Sequence, residues 1–385
     1  MTKLPNGWEV KKLEEVCEVS SSNLALKDVK DLDGKYPIYG ASGIVAWADF
    51  YHKEDEILGI VKDGAGFGRV FILPPKSSVI GTLNYLKNLE NTNLKYLYYF
   101  LKTIDFSQYV FGAAIPHIYF KNYKNEQIPL PPLEEQRKIV KILDEKFASI
   151  DESIRLVKDD LLSLDELWQS ILNDSFNPLK SKLDNDTYTL PPTWKWEKLG
   201  DISTIVGGGT PSKNNSEFWE NGTISWASVR DMNDDFILKT ELSITQKGLE
   251  CSSANLVDDR YVIIATRVGL GKVCLINNPI SFNQDLKGVL PSDKLNKIFL
   301  FYYFKNIASY LVGMGIGATV KGIKLDVVKQ IQIPLPPLKE QERIAKELES
   351  KAKTIKELKE LYTKRLKDYE ELKESLLDLA FKGGL

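Results

Sequence analysis

The chain has very few of the side chains that carry metal or redox chemistry. Its 385 residues include only two histidines, His52 and His117, and three cysteines, Cys17, Cys251 and Cys274. No two cysteines have the C-x-x-C form, and neither histidine lies at a metal-ligand spacing from a cysteine, so we expect no zinc site. The scattered cysteines predict reduced thiols rather than a disulfide framework.

Long apolar runs are also missing. No segment approaches the roughly 20 consecutive apolar residues of a membrane-spanning helix, and the opening MTKLPNGWEV lacks a hydrophobic signal segment. We therefore expect no membrane partner and a cytoplasmic location. At 43% hydrophobic residues, the chain is nonetheless long enough to form two or more cores.

A strong excess of positive charge is absent. The formal net charge is -2, residues 1–126 hold 15 basic and 15 acidic side chains, and residues 190–331 hold 16 and 14. Proteins that bind nucleic acid usually carry a basic footprint. Any affinity for DNA must therefore come from local patches or from the charge of a partner.

Signatures of catalysis are incomplete. GMGIGA at Gly313 follows SYLV without a strand-loop-helix context, and GLGK at Gly269 lacks the Ser or Thr and the earlier Gly of a phosphate-binding loop. The adjacent acids at 234–235 and 258–259 are interpreted as solvated turns rather than metal ligands. We expect neither catalytic nor metal-binding residues.

One phrase of twenty residues occurs twice. QIPLPPLEEQRKIVKILDEK from Gln127 returns as QIPLPPLKEQERIAKELESK from Gln332, with 13 of 20 positions identical. Pro129 and Pro131 remove N–H groups from one edge of an extended strand. Pro132 suits the first position of a helix, and acidic residues follow it where the helix dipole favours them. The phrase therefore predicts a strand that leads into a helix, once in each half.

A long helix is predicted after each phrase. In the second copy, these apolar residues fall on the a and d positions of one heptad frame, with Lys351 and Arg365 as polar exceptions: Ile344, Leu348, Ile355, Leu358, Tyr362, Tyr369, Leu372, Leu376 and Leu379. In the first copy the equivalent positions are Ile139, Leu143, Ile150, Val157, Leu164, Leu167 and Ile171. Two matched stripes favour a pair of helices, whereas a single stripe on a globular core is the alternative.

The repeat extends beyond the helices. LPNGWEVKKL from Leu4 returns as LPPTWKWEKL from Leu190, and GFGRV at Gly66 returns as GLGKV at Gly269. The offset grows from 186 to 205 residues, which predicts about twenty added residues inside the second globular unit. The two units are expected to share a scaffold and to present different surfaces.

The doubled IPLPPLxEQxxI with its long helices, the LPxGW and LPPTW openings, and GGGTPSKNNSEFWENGTISWASVRDM from Gly207 resemble the specificity subunit of type I restriction-modification systems. The first unit has YPIYGASGIVAWADF in place of the last motif, so its recognition surface is expected to differ in kind. The resemblance implies an α+β fold with two similar globular target-recognition domains, separated by two long helices packed as an antiparallel coiled coil in a pseudo-twofold internal repeat.

The implied boundaries follow the repeat. We expect target-recognition domain 1 at 1–126, helical spacer 1 at 127–178, a linker at 179–189, target-recognition domain 2 at 190–331 and helical spacer 2 at 332–385.

The resemblance also implies a function and partners. The chain would be a non-catalytic subunit whose domains each read one half of a bipartite site in double-stranded DNA, with the helices setting the spacer and docking the modification subunits. Those partners would be two copies of a DNA adenine methyltransferase that binds S-adenosylmethionine, with a restriction subunit added for cleavage driven by ATP and Mg. No cofactor is expected on this chain itself.

Two other function classes remain open. One is a protein-interaction scaffold with a degenerate DNA surface. The other is a self-contained DNA methyltransferase or nuclease, which is disfavoured because the chain has no Asn-Pro-Pro-aromatic tetrapeptide to hold a target base amine; NNPI at Asn277 does not match.

Candidate contact residues are polar or basic side chains in loops, because these carry the donors and acceptors that match base edges. The DNA-binding candidates are Lys62, Arg69, Lys76, Asn84, Lys213, Asn214, Asn215, Arg230, Arg267, Lys272, Asn283, Gln284 and Lys321. The partner-binding candidates are Gln136, Arg137, Gln341 and Arg343. Trp194, Trp219 and Trp226 are interpreted as core or loop anchors.

Overall fold

A computed structural model describes residues 4–112, 115–177, 190–317 and 321–385 of the chain. These residues form two compact units, one made of residues 4–158 with 362–385 and the other of residues 159–361. The expected linker at 179–189 lies outside the described residues. Each predicted boundary between a domain and a helical spacer falls at the start of a strand, whereas the two units divide each long helix between them.

The first unit contains two packed sheets and a two-stranded ribbon. Its elements are β1 (Glu9–Lys12), α1 (Leu13–Val16), β2 (Cys17–Ser21), α2 (Leu26–Val29), β3 (Tyr36–Gly40), β4 (Gly43–Ala48), β5 (Ile57–Val61), β6 (Val70–Leu73), β7 (Ser78–Val79), β8 (Leu83–Asn88), α3 (Leu94–Leu101), β9 (Val110–Phe111), β10 (His117–Ile118), α4 (Phe120–Tyr123), β11 (Gln127–Leu130) and the first part of α5 (Leu133–Phe176). The sheets have the strand orders β2-β8-β5-β6 and β4-β3-β7, β1 pairs with β11 in the ribbon, and the short strands β9 and β10 form a second pair.

The second unit repeats this plan with additions. Its elements are β12 (Lys195–Lys198), α6 (Leu199–Ile202), β13 (Ser203–Gly207), β14 (Ile224–Ala227), β15 (Phe236–Ile237), β16 (Leu242–Ile244), α7 (Gln246–Glu250), β17 (Leu256–Val257), β18 (Val262–Ala265), β19 (Val273–Ile276), β20 (Ile280–Phe282), β21 (Leu286–Pro291), α8 (Lys297–Asn306), α9 (Ala308–Met314), α10 (Leu325–Lys329), β22 (Gln332–Leu335) and α11 (Leu338–Phe381). The sheets have the orders β13-β21-β18-β19-β15 and β16-β14-β20-β17, with β12 and β22 in the ribbon.

The two units share strand order and direction. The order β2-β8-β5-β6 returns as β13-β21-β18-β19, and the parallel pair of β3 with β7 returns as β14 with β20. β15, α7 and β17 have no counterpart among the described residues of the first unit. They lie between β14 and β18, where the offset between equivalent strands grows, so they account for the predicted insertion. The predicted internal repeat is confirmed.

The doubled phrase is a strand followed by a helix in both units. β11 and β22 each begin at the Gln of the phrase, and α5 and α11 each run for 44 residues. The carbonyl of Pro132 accepts hydrogen bonds from the N–H groups of Glu135 at 2.8 Å and Gln136 at 3.1 Å. Pro132 therefore caps α5 instead of occupying its first helical position, since a cap residue already accepts the first intrahelical bonds.

The long helices run antiparallel within each unit. In the first unit, the Lys373 ammonium of α11 donates to Asp151 of α5 at 2.6 Å, and in the second unit Lys359 of α11 donates to Asp165 of α5. The residue number therefore rises along α5 as it falls along α11. Apolar side chains from both helices share the core of each unit, including Ile150 with Tyr369 in the first. The predicted antiparallel coiled coil is confirmed.

The predicted seam is correct near the start of each helix and only partly correct towards its end. Ile139, Leu143, Ile344 and Leu348 are at most 4% exposed, as predicted. Three predicted seam residues are largely exposed instead, at 50%, 45% and 44%: Leu167, Leu372 and Leu379.

The last turns of both helices face the globular part of a unit. Phe176 of α5 packs edge-on against Phe299 of α8 with ring centroids 5.1 Å apart. Phe381 of α11 packs in the same way against Tyr96 and Phe100 of α3, at 5.1 and 5.4 Å. Because these turns bury a different face from the one that meets the other long helix, the heptad frame stops describing them.

A buried glutamine joins each long helix to its globular unit. The Oε1 of Gln136 accepts from the N–H of Asn93 at 2.7 Å, and its Nε2 donates to the carbonyls of Asn91 and Pro131, both at 2.8 Å. Asn93 is the N-cap of α3, so one amide links the starts of two helices.

The second unit repeats this join. The Oε1 of Gln341 accepts from the N–H of Asn296, the N-cap of α8, at 2.8 Å, and its Nε2 donates to the carbonyls of Lys294 and Pro336, both at 2.9 Å. Both glutamines are 0% exposed. The structure thus gives Gln136 and Gln341 a structural role in place of the partner contact we predicted.

Replacing either glutamine with alanine leaves three backbone groups without their side-chain partner. We expect Gln136→Ala to lower the local free energy of opening at α3 by about 2 to 4 kcal/mol, and Gln341→Ala to do the same at α8. Hydrogen exchange of the amides in α3 and α8 reports each unit separately. The matched controls are Gln127→Ala and Gln332→Ala, which remove exposed glutamines of the same phrase. Equal exchange in the Gln136 and Gln127 variants would contradict the structural role.

Candidate nucleic-acid interface

Some of the predicted contact residues lie at one equivalent turn in each unit. In the second unit this turn joins β18 to β19 and contains Gly269 and Gly271, with φ of +74° and +87°. In the first unit it joins β5 to β6 and contains Gly64 and Gly68, with φ of +87° and +79°. Glycine adopts this left-handed backbone without a steric cost. Turn geometry therefore explains both glycines of GLGKV but only Gly68 of GFGRV, since Gly66 does not adopt this backbone.

The second unit brings several polar side chains together beside this turn. The Nη1 of Arg267 lies 3.4 Å from the Oδ1 of Asp285. The Nδ2 of Asn283 donates to the Oδ2 of Asp285 at 3.0 Å, and the hydroxyl of Thr210 donates to the Oε1 of Gln284 at 2.5 Å. We name this group, with Lys287, the second-unit corner. The Arg267 guanidinium and the Gln284 amide are each held by a neighbouring side chain, so both groups are oriented before any ligand binds.

The GGGTP motif places Thr210 in the corner. A Cβ on Gly208 would overlap the carbonyl oxygens of Phe282 and Asn283, so only glycine lets this loop lie against the end of β20. The indole N–H of Trp226 donates to the carbonyl of Gly209 at 2.9 Å. The family resemblance identified this motif without giving it a role. In the structure, its role is to hold the loop with Thr210 against the end of β20.

The tryptophans interpreted as anchors lie in or near the core. Trp194 and Trp226 are 8% and 5% exposed. Trp219 packs edge-on against Trp226 at 5.1 Å, and its indole N–H donates to the carbonyl of Ser212 at 3.1 Å.

Lys287 belongs to the corner but was missed by sequence reasoning. Its ammonium donates to the carbonyls of Gln284 at 2.8 Å and Leu286 at 3.1 Å. Burial lowers the pKa of Lys287 from its ordinary value, and the nearby Asp285 opposes this shift. Asp285 was also missed, because only donors and amides were sought in the loops. A lysine inside a strand carries no signal that separates it from an ordinary surface residue.

The remaining predicted residues of the second unit lie around the corner. Lys213 and Asn214 are exposed on the loop after GGGTP, and Asn215 caps the short 3-10 turn Ser216–Phe218. Lys321 is exposed and precedes Gly322, which lies against Arg267.

Lys272 lies beside a neighbouring turn that carries Arg230. The Lys272 ammonium donates to the carbonyl of Met232 at 3.0 Å, next to the 3-10 turn Val229–Asp231 that carries Arg230. Arg230 is exposed and lies 3.9 Å from Glu241.

The first unit places its predicted residues less closely together. Arg69 is exposed and Lys62 is half-buried at the two ends of the turn. Lys76 forms an ion pair with Glu54 at 3.7 Å. Asn84 is 7% exposed on β8, where its Oδ1 accepts from the hydroxyl of Ser21 at 3.1 Å.

Arg137 and Arg343 are exposed on the first turns of the long helices. Arg137 bonds to Glu134, and Arg343 bonds to Glu340 at 2.8 Å and Glu347 at 3.0 Å. Both stay available to a partner, unlike the buried glutamines beside them.

Several other reactive groups in the described residues are held in structural contacts. Burial raises the pKa of Cys17 and of Cys274 to about 12, so both thiols are protonated at neutral pH. Lys356 donates to Asp234 at 2.9 Å and lowers the pKa of that carboxyl, and Lys305 donates to Asp235. These two acids therefore pair with lysines of the second unit, while their side chains remain 55% and 39% exposed, as expected of a solvated turn.

The described part of the chain has neither a cluster of metal ligands nor a membrane-spanning helix. No group of three or more His, Cys, Asp or Glu residues there is arranged to hold a metal ion. No helix among the same residues is both long enough and apolar enough to cross a membrane.

The chain resembles known proteins over both units. The family model described as "Type I restriction modification DNA specificity domain" matches residues 5–157 and again residues 191–365. The EcoR124I/EcoR124II specificity subunit of Escherichia coli is 30% identical over 266 residues, which is 68% of this chain and 63% of that protein. The MjaVIII specificity subunit of Methanocaldococcus jannaschii is 28% identical, with 99% of this chain and 93% of that protein covered.

Two solved structures share the fold. One, from work on complex assembly and conformational transition of the type I R-M system, has a TM-score of 0.79 at 22% identity, with 100% of both chains covered. The other is the HsdS subunit of Thermoanaerobacter tengcongensis, with a TM-score of 0.57 at 22% identity and 100% and 98% coverage. Because the family model matches both halves and most of the sequence, the chain belongs to the type I restriction-modification DNA specificity family.

Proposed function

We propose that the protein is the non-catalytic specificity subunit of a type I restriction-modification complex, in which each unit reads one half of a bipartite DNA site. One observation carries the proposal: the two units share a frame of strands and helices but differ in the side chains at equivalent turns. A protein that recognises two unlike half-sites needs this combination, because the frame fixes position and the side chains select bases.

The second-unit corner has the chemistry to read base edges. Arginine makes bidentate hydrogen bonds to guanine, and glutamine makes them to adenine. Arg267 and Gln284 are both exposed, and both are oriented by a neighbour within the corner. A scaffold with a degenerate DNA surface would have no need for oriented, exposed donors at this position.

Two copies of one modification subunit would find equivalent surfaces on the two units. Lys138 and Arg343 are exposed at the same step of α5 and α11, and so are Lys141 and Lys346. Identical partners that bind a pseudo-symmetric protein need such matched sites. In this proposal the modification subunits carry S-adenosylmethionine and methylate adenine, and a restriction subunit uses ATP and Mg for cleavage. The complex works on double-stranded DNA in the cytoplasm.

The first test is reconstitution. The purified chain alone should neither methylate nor cleave DNA, whereas adding its modification subunit should give methyl transfer to a bipartite site. The measurement is incorporation of labelled methyl groups from S-adenosylmethionine into plasmid DNA, followed by mapping of the methylated adenines. The modification subunit alone is the control and should show no defined site. Robust methyl transfer by the pure chain would sink the proposal.

The long helices are expected to set the spacer between the half-sites. Each begins in one unit and ends in the other, since the units divide at 158/159 and at 361/362. Inserting seven residues at both points adds about 10 Å of helix at 1.5 Å per residue, or roughly three base pairs at 3.4 Å each. The expected result is a longer spacer with unchanged half-sites, because half-site separation follows protein geometry.

The matched control for this change is a four-residue insertion at the same two points. It breaks the heptad register and should reduce activity more than the seven-residue insertion does. Mapping of methylated sites gives the spacer directly. An active seven-residue variant that kept the original spacer would show that the helices do not measure DNA.

A further inference from the structure

Beside the glycine turn, equivalent residues of the two units can be identified from their backbone hydrogen bonds. The N–H of Ile118 donates to the carbonyl of Lys62 in the first unit, as the N–H of Ile323 donates to the carbonyl of Thr266 in the second. The strand registers agree, because Val61 faces Leu83 as Ala265 faces Leu286. One residue further along, Asp63 is therefore the equivalent of Arg267, and His117 is the equivalent of Gly322.

The first unit has its own pair of polar side chains at this point. The Nδ1 of His117 and the Oδ1 of Asp63 are in hydrogen-bond contact, and the two residues also form a backbone bridge between strands. The imidazole lies over the ring of Tyr119, with centroids 3.9 Å apart. The side chain of His117 is 24% exposed, and its Nε2 has no hydrogen-bond partner within the described residues.

A structural role does not explain this histidine. The second unit closes its equivalent strand contact with Gly322, which has no side chain at all. The frame therefore forms without an imidazole at this position. Asp63 is likewise replaced by arginine in the second unit. Both positions vary between the units while the backbone hydrogen bonds of Ile118 and Ile323 beside them are equivalent, as expected of residues that distinguish two targets.

The contact with Asp63 fixes which nitrogen is available. A carboxylate at Nδ1 holds the proton on that nitrogen and leaves Nε2 pointing away from it. A neutral imidazole then accepts at Nε2 from the amino group of adenine or cytosine, and a protonated one donates to the O6 or N7 of guanine. Asp63 thus orients His117 as Asp285 orients Arg267.

We propose that His117 reads a base of the half-site recognised by the first unit, and that Asp63 is its positioning residue. This inference rests on the proposed function, because it assumes that each unit reads DNA. It assigns the first unit a base-reading pair that the loop candidates Lys62, Arg69 and Lys76 do not include.

The experiment uses the full chain in complex with its modification subunit and a DNA library in which both half-sites are randomised. Methylated molecules are selected and sequenced, which gives the base preference at every position of both half-sites. The variants are His117→Ala, His117→Gln and Asp63→Asn, with Arg267→Ala as the mirror variant. His52→Ala, which changes the other histidine, is the matched control; His52 is exposed and stacks on Phe50.

We expect the loss of base preference to be confined to one position of the first half-site. His117→Ala should reduce selectivity at one position of the first half-site by about five- to tenfold, consistent with loss of one base contact. His117→Gln should change the preferred base there, and Asp63→Asn should weaken the preference at the same position. Arg267→Ala should alter only the other half-site, and His52→Ala should alter neither. The retained half-site in each variant shows that the complex is folded and assembled.

Other outcomes overturn the inference. Unchanged selectivity in both His117 variants would show that the imidazole does not read a base. Equal loss at every position of both half-sites, in both variants, would make it a structural residue. If the complex without substitutions selects no site, the proposed function itself is wrong. If that complex selects a site but the His117 variants change nothing, only the inference about His117 is wrong.

Discussion

The join between a buried glutamine and two helix starts is the constraint on which each unit depends. An amide side chain that is fully buried must use its hydrogen-bonding groups within the protein, since each unpaired group costs about 1 to 3 kcal/mol. Gln136 and Gln341 meet this requirement with backbone partners from the N-cap of a short helix, the loop before it and the proline turn before a long helix. The direction of the long helix is thereby fixed to the sheet of its unit. This explains why the phrase that contains the glutamine occurs twice.

Around that fixed join, each unit can change its surface without changing its frame. The strand order is the same in both units, and the glycines with positive φ return at the turn that carries the contact residues. The side chains at that turn differ: the second unit has Arg267 beside Asp285, and the first has His117 beside Asp63. A type I restriction-modification specificity subunit needs this division, because one part of each unit holds the geometry and another selects the sequence.

The internal repeat and the local spacing of residues predicted the arrangement of strands and helices well. The repeat, the strand-to-helix transition and the pair of long helices followed from the spacing of prolines, glutamines and apolar residues, whereas their antiparallel packing was implied by the family resemblance. The ends of the helices did not follow, because a heptad frame gives the period of a buried stripe but not the surface that the stripe meets. Leu372 and Leu379 are exposed for this reason, and Phe381 meets aromatic side chains of α3 instead.

The site was harder to predict than the frame. Glutamines in a charged phrase resemble surface residues, although Gln136 and Gln341 are buried. Asn84 also reads as a loop residue until its strand and its contact with Ser21 are known. His117 and Asp63 are 54 residues apart in sequence, and no local pattern connects them. Pairs of this kind depend on tertiary contacts, which composition and spacing do not encode.

In the proposed function, one chain directs methylation to two unlike half-sites at a fixed separation. Long-read sequencing of modified adenines in cells that carry the gene, and in matched cells that lack it, tests this most directly. We expect removal of the gene to abolish methylation of one bipartite motif, with two different half-sites and a constant spacer, and to leave every other methylated motif intact. Loss of no motif, or loss of a single uninterrupted motif, would contradict it.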